Sequence, residues 1–187
     1  LTELKLPAGV QRLLCENNGL TALDLSGCTA LTYLKCANNQ LATLNLGANT
    51  ALSTLIVSNN HLPSLDLRAN TALAAVTLGQ QTITVNATQQ DNVFYAPVDG
   101  LTADGVVYQD TEKYENGNFV TADYALMQNG FTYEYATGSD LAGALTVDVT
   151  VVKDFYQVRF YGDETKNVLL SAVAVNSGQT ALSLIHI

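Results

Sequence analysis

The sequence predicts a mainly β fold that opens as a solenoid of about four short coils and continues as paired strands. Two observations carry this prediction. Identical residues recur every 21 positions through the first half of the chain, and from Ile83 onward apolar and polar residues alternate between turn signals. Composition sets the frame: 48% apolar residues can fill a core, and 13% charged residues lie far from the composition of a disordered chain.

The repeat is the first element. Asn-Asn stands at Asn17–Asn18, Asn38–Asn39 and Asn59–Asn60. The same spacing links Leu20, Leu41 and Leu62, then Leu23, Leu44 and Leu65, then Leu25, Leu46 and Leu67. Leu13, Leu34, Leu55 and Val76 form another column, as do Cys15, Cys36, Val57 and Leu78. A chain that turns once per repeat stacks each column on itself, so the leucines form a continuous interior. Asn39 falls where the chain leaves its short strand, and its amide can bond backbone groups that burial would otherwise leave unpaired. Asn18 and Asn60 hold the same place, and Gln81 ends that ladder.

A second pattern is nested in the first. Leu44-x-Leu46-x-x-Asn49 returns as Leu65-x-Leu67-x-x-Asn70, and as Leu23-x-Leu25-x-x-Cys28 with cysteine in the asparagine place. Asn49 and Asn70 therefore join Asn18, Asn39 and Asn60 as structural ladder residues. Each turn splits into two strand-like halves with no room for a full helix, which predicts a thin, flattened coil. The first unit departs from the pattern, because Leu1-x-x-Leu4-x-Leu6 runs into Pro7-Ala8-Gly9 and is two residues short.

Leu31-x-x-Leu34-x-Cys36-x-x-Asn39-x-Leu41 resembles the conserved segment of leucine-rich repeats, and the resemblance covers residues 1 to about 84. In its nested period the chain is similar to the irregular leucine-rich repeats of bacterial surface proteins, including those of gut Bacteroidetes and Firmicutes. The resemblance implies a leucine-rich-repeat solenoid, secreted or displayed at the cell surface, that binds a protein or glycan ligand through exposed strand positions. Those positions form columns: Arg12, Tyr33, Thr54 and Ala75; Leu14, Lys35, Ile56 and Thr77; Glu16, Ala37, Ser58 and Gly79. Arg12, Leu14, Glu16, Tyr33, Lys35, Thr54 and Ile56 are the binding candidates, since exposed aromatic and aliphatic side chains beside cations suit a protein contact. Against this stands a scaffold reading, in which these coils only support a ligand held elsewhere.

Beyond the repeat, Ile83–Val85, Val93–Tyr95, Val106–Tyr108 and Phe119–Ala122 read as strands around Asp99-Gly100, Asp104-Gly105 and Asn116-Gly117 turns. Phe131, Tyr133 and Tyr135 alternate with polar residues, as do Leu145, Val147, Val149 and Val151. Asn129-Gly130 is expected to fold Tyr124–Met127 back onto Phe131–Tyr135 as a hairpin. These elements predict an antiparallel β-sandwich-like domain over 85–153, capping the end of the 1–84 solenoid. Tyr156-Gln-Val158-Arg-Phe160-Tyr161, Val168-Leu169-Leu170 and Val175-x-x-Gly178 resemble the start of a Listeria–Bacteroides repeat, implying a truncated β-grasp-like module over 154–181. Residues 182–187, Leu-Ser-Leu-Ile-His-Ile, match the translation of a transposon-end sequencing adapter and are expected to be an artefact at the end of a fragment.

Charge narrows the function. Residues 1–84 carry equal numbers of acids and bases, so the formal −9 falls entirely on residues 85–187. A polyanion would be repelled by one half and unattracted by the other, which argues against nucleic acid. No apolar run approaches the roughly 20 residues a spanning helix needs, so no transmembrane segment is expected here. Cys15, Cys28 and Cys36 read as small buried side chains, with a Cys15–Cys36 bridge or a metal site as the alternatives. Asp91, Asp99, Asp104 and Asp110 lack a calcium-loop pattern and read as turn carboxylates. His61 reads as a surface residue with no nucleophile to pair with, and Asn86-Ala87-Thr88 is a three-residue glycosylation match. No catalytic residue, metal or cofactor is expected. Two further readings remain: a structural stalk, or an accessory region of a larger surface protein such as a hydrolase whose catalytic domain lies outside this stretch.

Overall fold

A computed structural model describes residues 1–2, 4–111, 113–153, 155–161 and 169–176, with side chains described up to residue 153. The described residues are mainly β: thirteen strands, one 3-10 turn and one short helix.

Four strands of three residues each stand 21 residues apart: β1 (Arg12–Leu14), β2 (Tyr33–Lys35), β3 (Thr54–Ile56) and β4 (Ala75–Thr77). They pair in parallel in that order, with Leu13 beside Leu34, Leu34 beside Leu55 and Leu55 beside Val76. The 21-residue period of the sequence is thus the register of the sheet. Middle residues of each strand point inward, where they meet Leu20, Leu41 and Leu62 and the Leu23–Leu25 type pairs of the opposite side. That opposite side is extended but forms no strand. It ends each coil in a tight turn, as where Cys28 N–H bonds Leu25 O at 2.9 Å and Leu31 N–H bonds Cys28 O at 3.0 Å. Burial of a leucine is worth about 1.5–3 kcal/mol, and a stacked column repeats that gain once per coil.

Seven further strands make a second sheet. β5 (Gln80–Gln90), β6 (Val93–Pro97), β7 (Val106–Gln109), β8 (Lys113–Glu115), β9 (Asn118–Thr121), β10 (Phe131–Ala136) and β11 (Ala144–Lys153) lie in the order β7-β10-β11-β5-β6-β9-β8. β5 is shared: residues 80–87 pair with β11, and residues 88–90 turn to pair with β6. Its two halves therefore belong to two groups of strands, and aromatic side chains from both groups meet. Phe119 of β9 lies 5.1 Å from Phe131 and 4.6 Å from Tyr133 of β10, ring centre to ring centre.

Several expectations are revised. β11 runs parallel to β5, so the sheet is mixed rather than all antiparallel; alternation reports which face is buried, not the direction of the neighbour. Tyr124–Met127 is no strand but lies in α1 (Tyr124–Asn129), because Asp123 caps it by accepting from Ala125 N–H at 2.8 Å and Leu126 N–H at 3.0 Å. Gly130 then leaves the helix at φ 86°, pressed so close to Val149 O that a Cβ would sit 2.4 Å from it. Position 84/85 falls inside β5, so one strand crosses the expected domain border. Past residue 154, β12 (Phe155–Tyr161) and β13 (Leu169–Asn176) form an antiparallel pair. Val168, Gly178 and the adapter-like residues 182–187 lie outside the described residues.

Candidate functional site

The strand side of the coils places six of the seven binding candidates in two outward columns, with Glu16 just beyond β1. Arg12, Tyr33 and Thr54 are register partners, and so are Leu14, Lys35 and Ile56. Within this face the side chains already organise one another. The Arg12 guanidinium stacks over the Tyr33 ring, 4.3 Å from its centre. Lys35 Nζ lies 2.9 Å from Glu16 Oε1, which holds the Glu16 carboxyl below its ordinary range and the Lys35 ammonium above its own. Leu14, 57% exposed, lies beside Lys35 in the next coil, and half-buried Ile56 lies on its far side. Thr54 is half-buried beyond Tyr33. Among the described residues Arg12 has no carboxylate partner, so its edge faces solvent. This part of the face can offer an aliphatic contact ringed by two fixed cations.

The ladder residues lie behind it. Asn39 Nδ2 donates to Cys15 O at 2.9 Å and to Cys36 O at 3.0 Å, while its Oδ1 accepts from Leu20 N–H at 3.1 Å. Asn60 repeats the pattern one coil on, to Cys36 O, Val57 O and Leu41 N–H. Asn18 donates to Cys15 O and Glu16 O, and Gln81 closes the series with bonds to Val57 O and Leu78 O. On the opposite side Asn49 donates to Leu25 O and Cys28 O, and Asn70 to Leu46 O and Asn49 O. Sequence reasoning missed a second, outer ladder. Asn17, Asn38 and Asn59 all sit at φ 56–57°, and Asn59 Nδ2 bonds Asn38 Oδ1 at 2.7 Å as Asn38 Nδ2 bonds Asn17 Oδ1 at 2.9 Å. Its signal was in view: asparagine tolerates the left-handed region better than most residues, and the first residue of every Asn-Asn pair needed a reason of its own.

Cys15, Cys28 and Cys36 are free and buried. Burial pushes the Cys15 thiol up to about 11 and the Cys36 thiol up to about 12. Asp91 lies in a two-residue turn with Asn92, Asp104 in the 3-10 turn, and Asp110 accepts from Thr132 N–H and the Tyr108 hydroxyl at 2.7 Å each. Among the described residues no group of three or more His, Cys, Asp and Glu gathers in a metal-binding arrangement. No helix of the described residues is long and apolar enough to cross a membrane. His61 is exposed at a coil edge, and Asn86 is exposed within β5.

No family model matches this chain, and no curated protein matches it. A solved structure with some likeness is the functional domain of InlJ from Listeria monocytogenes, described as including a cysteine ladder. Its identity is 23% and its TM-score 0.49, over 76% of this chain and 34% of the other. The present chain thus spans about a third of that neighbour's length. So slight a likeness carries no functional argument.

The coils' reverse side holds a groove that the sequence did not show. It has a volume of about 420 Å³, with Thr43, Asn45, Ser64 and Asp66 from neighbouring coils on one side and Asp99–Gly100, between β6 and β7, on the other. The second sheet is tied to this region, since the Tyr133 hydroxyl donates to Pro63 O at 2.8 Å and Leu67 N–H to Thr137 O at 2.9 Å.

Proposed function

We propose that this chain is part of a secreted or cell-surface bacterial protein, and that its leucine-rich-repeat solenoid and the sandwich-like sheet behind it form a binding and adhesion module, not an enzyme. The observation that carries the reading is the strand face around Leu14. There an exposed aliphatic side chain sits among Arg12, held by Tyr33, and Lys35, held by Glu16. Side chains fixed before contact lose little freedom when a partner arrives, which is how a small patch reaches useful affinity. The Tyr33 ring is covered by Arg12, so this face favours a protein surface with acidic and apolar groups over a sugar stacked on an aromatic ring. Surface location rests on the resemblance of the repeat to irregular leucine-rich repeats of bacterial surface proteins.

An array of purified secreted and cell-surface proteins, probed with the chain, tests the reading. Partners captured by the native chain should be lost with the double variant Tyr33→Ala, Lys35→Ala, at unchanged melting temperature. Partners that survive the double variant, or an array that yields none, would sink it.

A further inference from the structure

The groove on the reverse side lies away from the strand face and stands independently of the reading above. We propose that it is a carbohydrate site for a neutral oligosaccharide. Its volume of about 420 Å³ falls within the ~300–1,000 Å³ typical of ligand pockets. The hydroxyls of Thr43 and Ser64 make no hydrogen bond with another described residue. Asn45 uses its side-chain oxygen on Gly47 N–H at 3.0 Å, leaving its amide donors open. Asp99 stands on the opposite wall, within reach as an acceptor. Two hydroxyls, an amide donor and a carboxylate acceptor are the mixture that vicinal sugar hydroxyls, each both donor and acceptor, can satisfy.

Charge sets the class of sugar. The lining includes Asp66 and Asp99 and no lysine or arginine. Asp66 is already engaged with Arg68, through Nε at 2.9 Å and Nη2 at 2.7 Å. That leaves Asp99 as the charge without a cation partner among the described residues, and it disfavours an anionic glycan over a neutral one. A protein segment is disfavoured for a different reason: the groove presents no exposed aromatic or large aliphatic anchor. The two walls come from different parts of the fold, yet the Tyr133 bond to Pro63 O fixes the second sheet beside the groove. Such anchoring prepares a site before its ligand arrives.

Ligand-observed NMR with the whole chain tests this, using neutral di- to tetrasaccharides, a sulfated oligosaccharide and an acidic peptide as probes. The expected result is binding of at least one neutral saccharide, displaced by neither other probe. Any binding of the acidic peptide or the sulfated oligosaccharide at the strand face should be lost in the Tyr33→Ala, Lys35→Ala variant and leave saccharide binding unchanged. Ser64→Leu, which fills the groove, and Thr43→Val, which only removes a hydroxyl, should each weaken that binding, the first by about tenfold or more. Tyr33→Ala should leave it unchanged, which separates this site from the strand face. Thr43→Val keeps the test decisive if Ser64→Leu fails to fold. Absence of neutral-saccharide binding, indifference to both groove variants, loss on Tyr33→Ala, or displacement of the saccharide by the sulfated or peptide probe would each overturn the assignment.

Discussion

At the scale of single residues, paired asparagines do two jobs with one residue type. Asn39 is buried and bonds four backbone groups of two coils, so Asn39→Leu should destabilise by about 1–3 kcal/mol in a denaturant titration. An unchanged midpoint would count against the ladder. Asn38 is exposed and holds a left-handed backbone at φ 56°. Asn38→Gly should therefore be nearly silent, while Asn38→Val should cost about 1–2 kcal/mol, the β-branched residue being unsuited to that conformation. The inner role was legible in the sequence because a buried turn must satisfy its backbone. The outer role was not, because nothing in the repeat alone says which asparagine carries the unusual φ. Asp66 adds a pH signature. Its carboxyl, held at about 2 by Arg68 against an ordinary value near 3.9, stabilises the fold above about pH 4 and loses that contribution as pH falls through 2. The pair is largely exposed, so Asp66→Asn should cost well under about 1 kcal/mol at pH 7, with the difference from the native chain vanishing near pH 2.

Among the elements, the coils were readable and the junctions were not. Stacked columns of Leu13, Leu34 and Leu55 dictate a parallel sheet, because a period equal to one turn leaves no other arrangement. The six-residue helix after Asp123 escaped notice because Tyr124–Met127 is apolar enough for a strand and too short for a helical period to show. The decisive signal was the cap itself. Asp123→Ala should cost about 1 kcal/mol, read as a lower thermal midpoint with the strand content intact by circular dichroism. The direction of β11 against β5 was likewise hidden, since Leu145, Val147, Val149 and Val151 alternate identically in either orientation. The groove wall at Asp99 was hidden more deeply. It depends on where a turn distant in sequence from both facing coils comes to rest.

For the whole molecule, the expected border at residue 84/85 proves to run through a single strand. Gln81 bonds Val57 O and Leu78 O as the last rung of the ladder while pairing with Val147 as part of β5. The coils and the described sheet β5–β11 therefore share a residue, a strand and the Tyr133 bond to Pro63 O. Calorimetry should show one cooperative transition for these two parts rather than two. Separate transitions would mean that the shared strand does not couple them. The three thiols report the same event chemically: buried in the folded chain, they should react slowly with a thiol reagent, then react fully once denaturant opens the fold.

The outer asparagines have one further consequence. Asn38 gives an amide hydrogen to Asn17 of the coil before it and takes one on its oxygen from Asn59 of the coil after it, so this interior rung carries matching connectors at both ends. Whole 21-residue units can thus be added or lost like links of a chain without refitting the joints. An insertion of a single residue within a coil would break every thread at once. Gly79, left-handed at φ 58° and too close to Ser58 to carry a side chain, stands one place before the next asparagine would fall and hands the chain to β5. Growth by duplication is open to the interior coils and ends at that glycine.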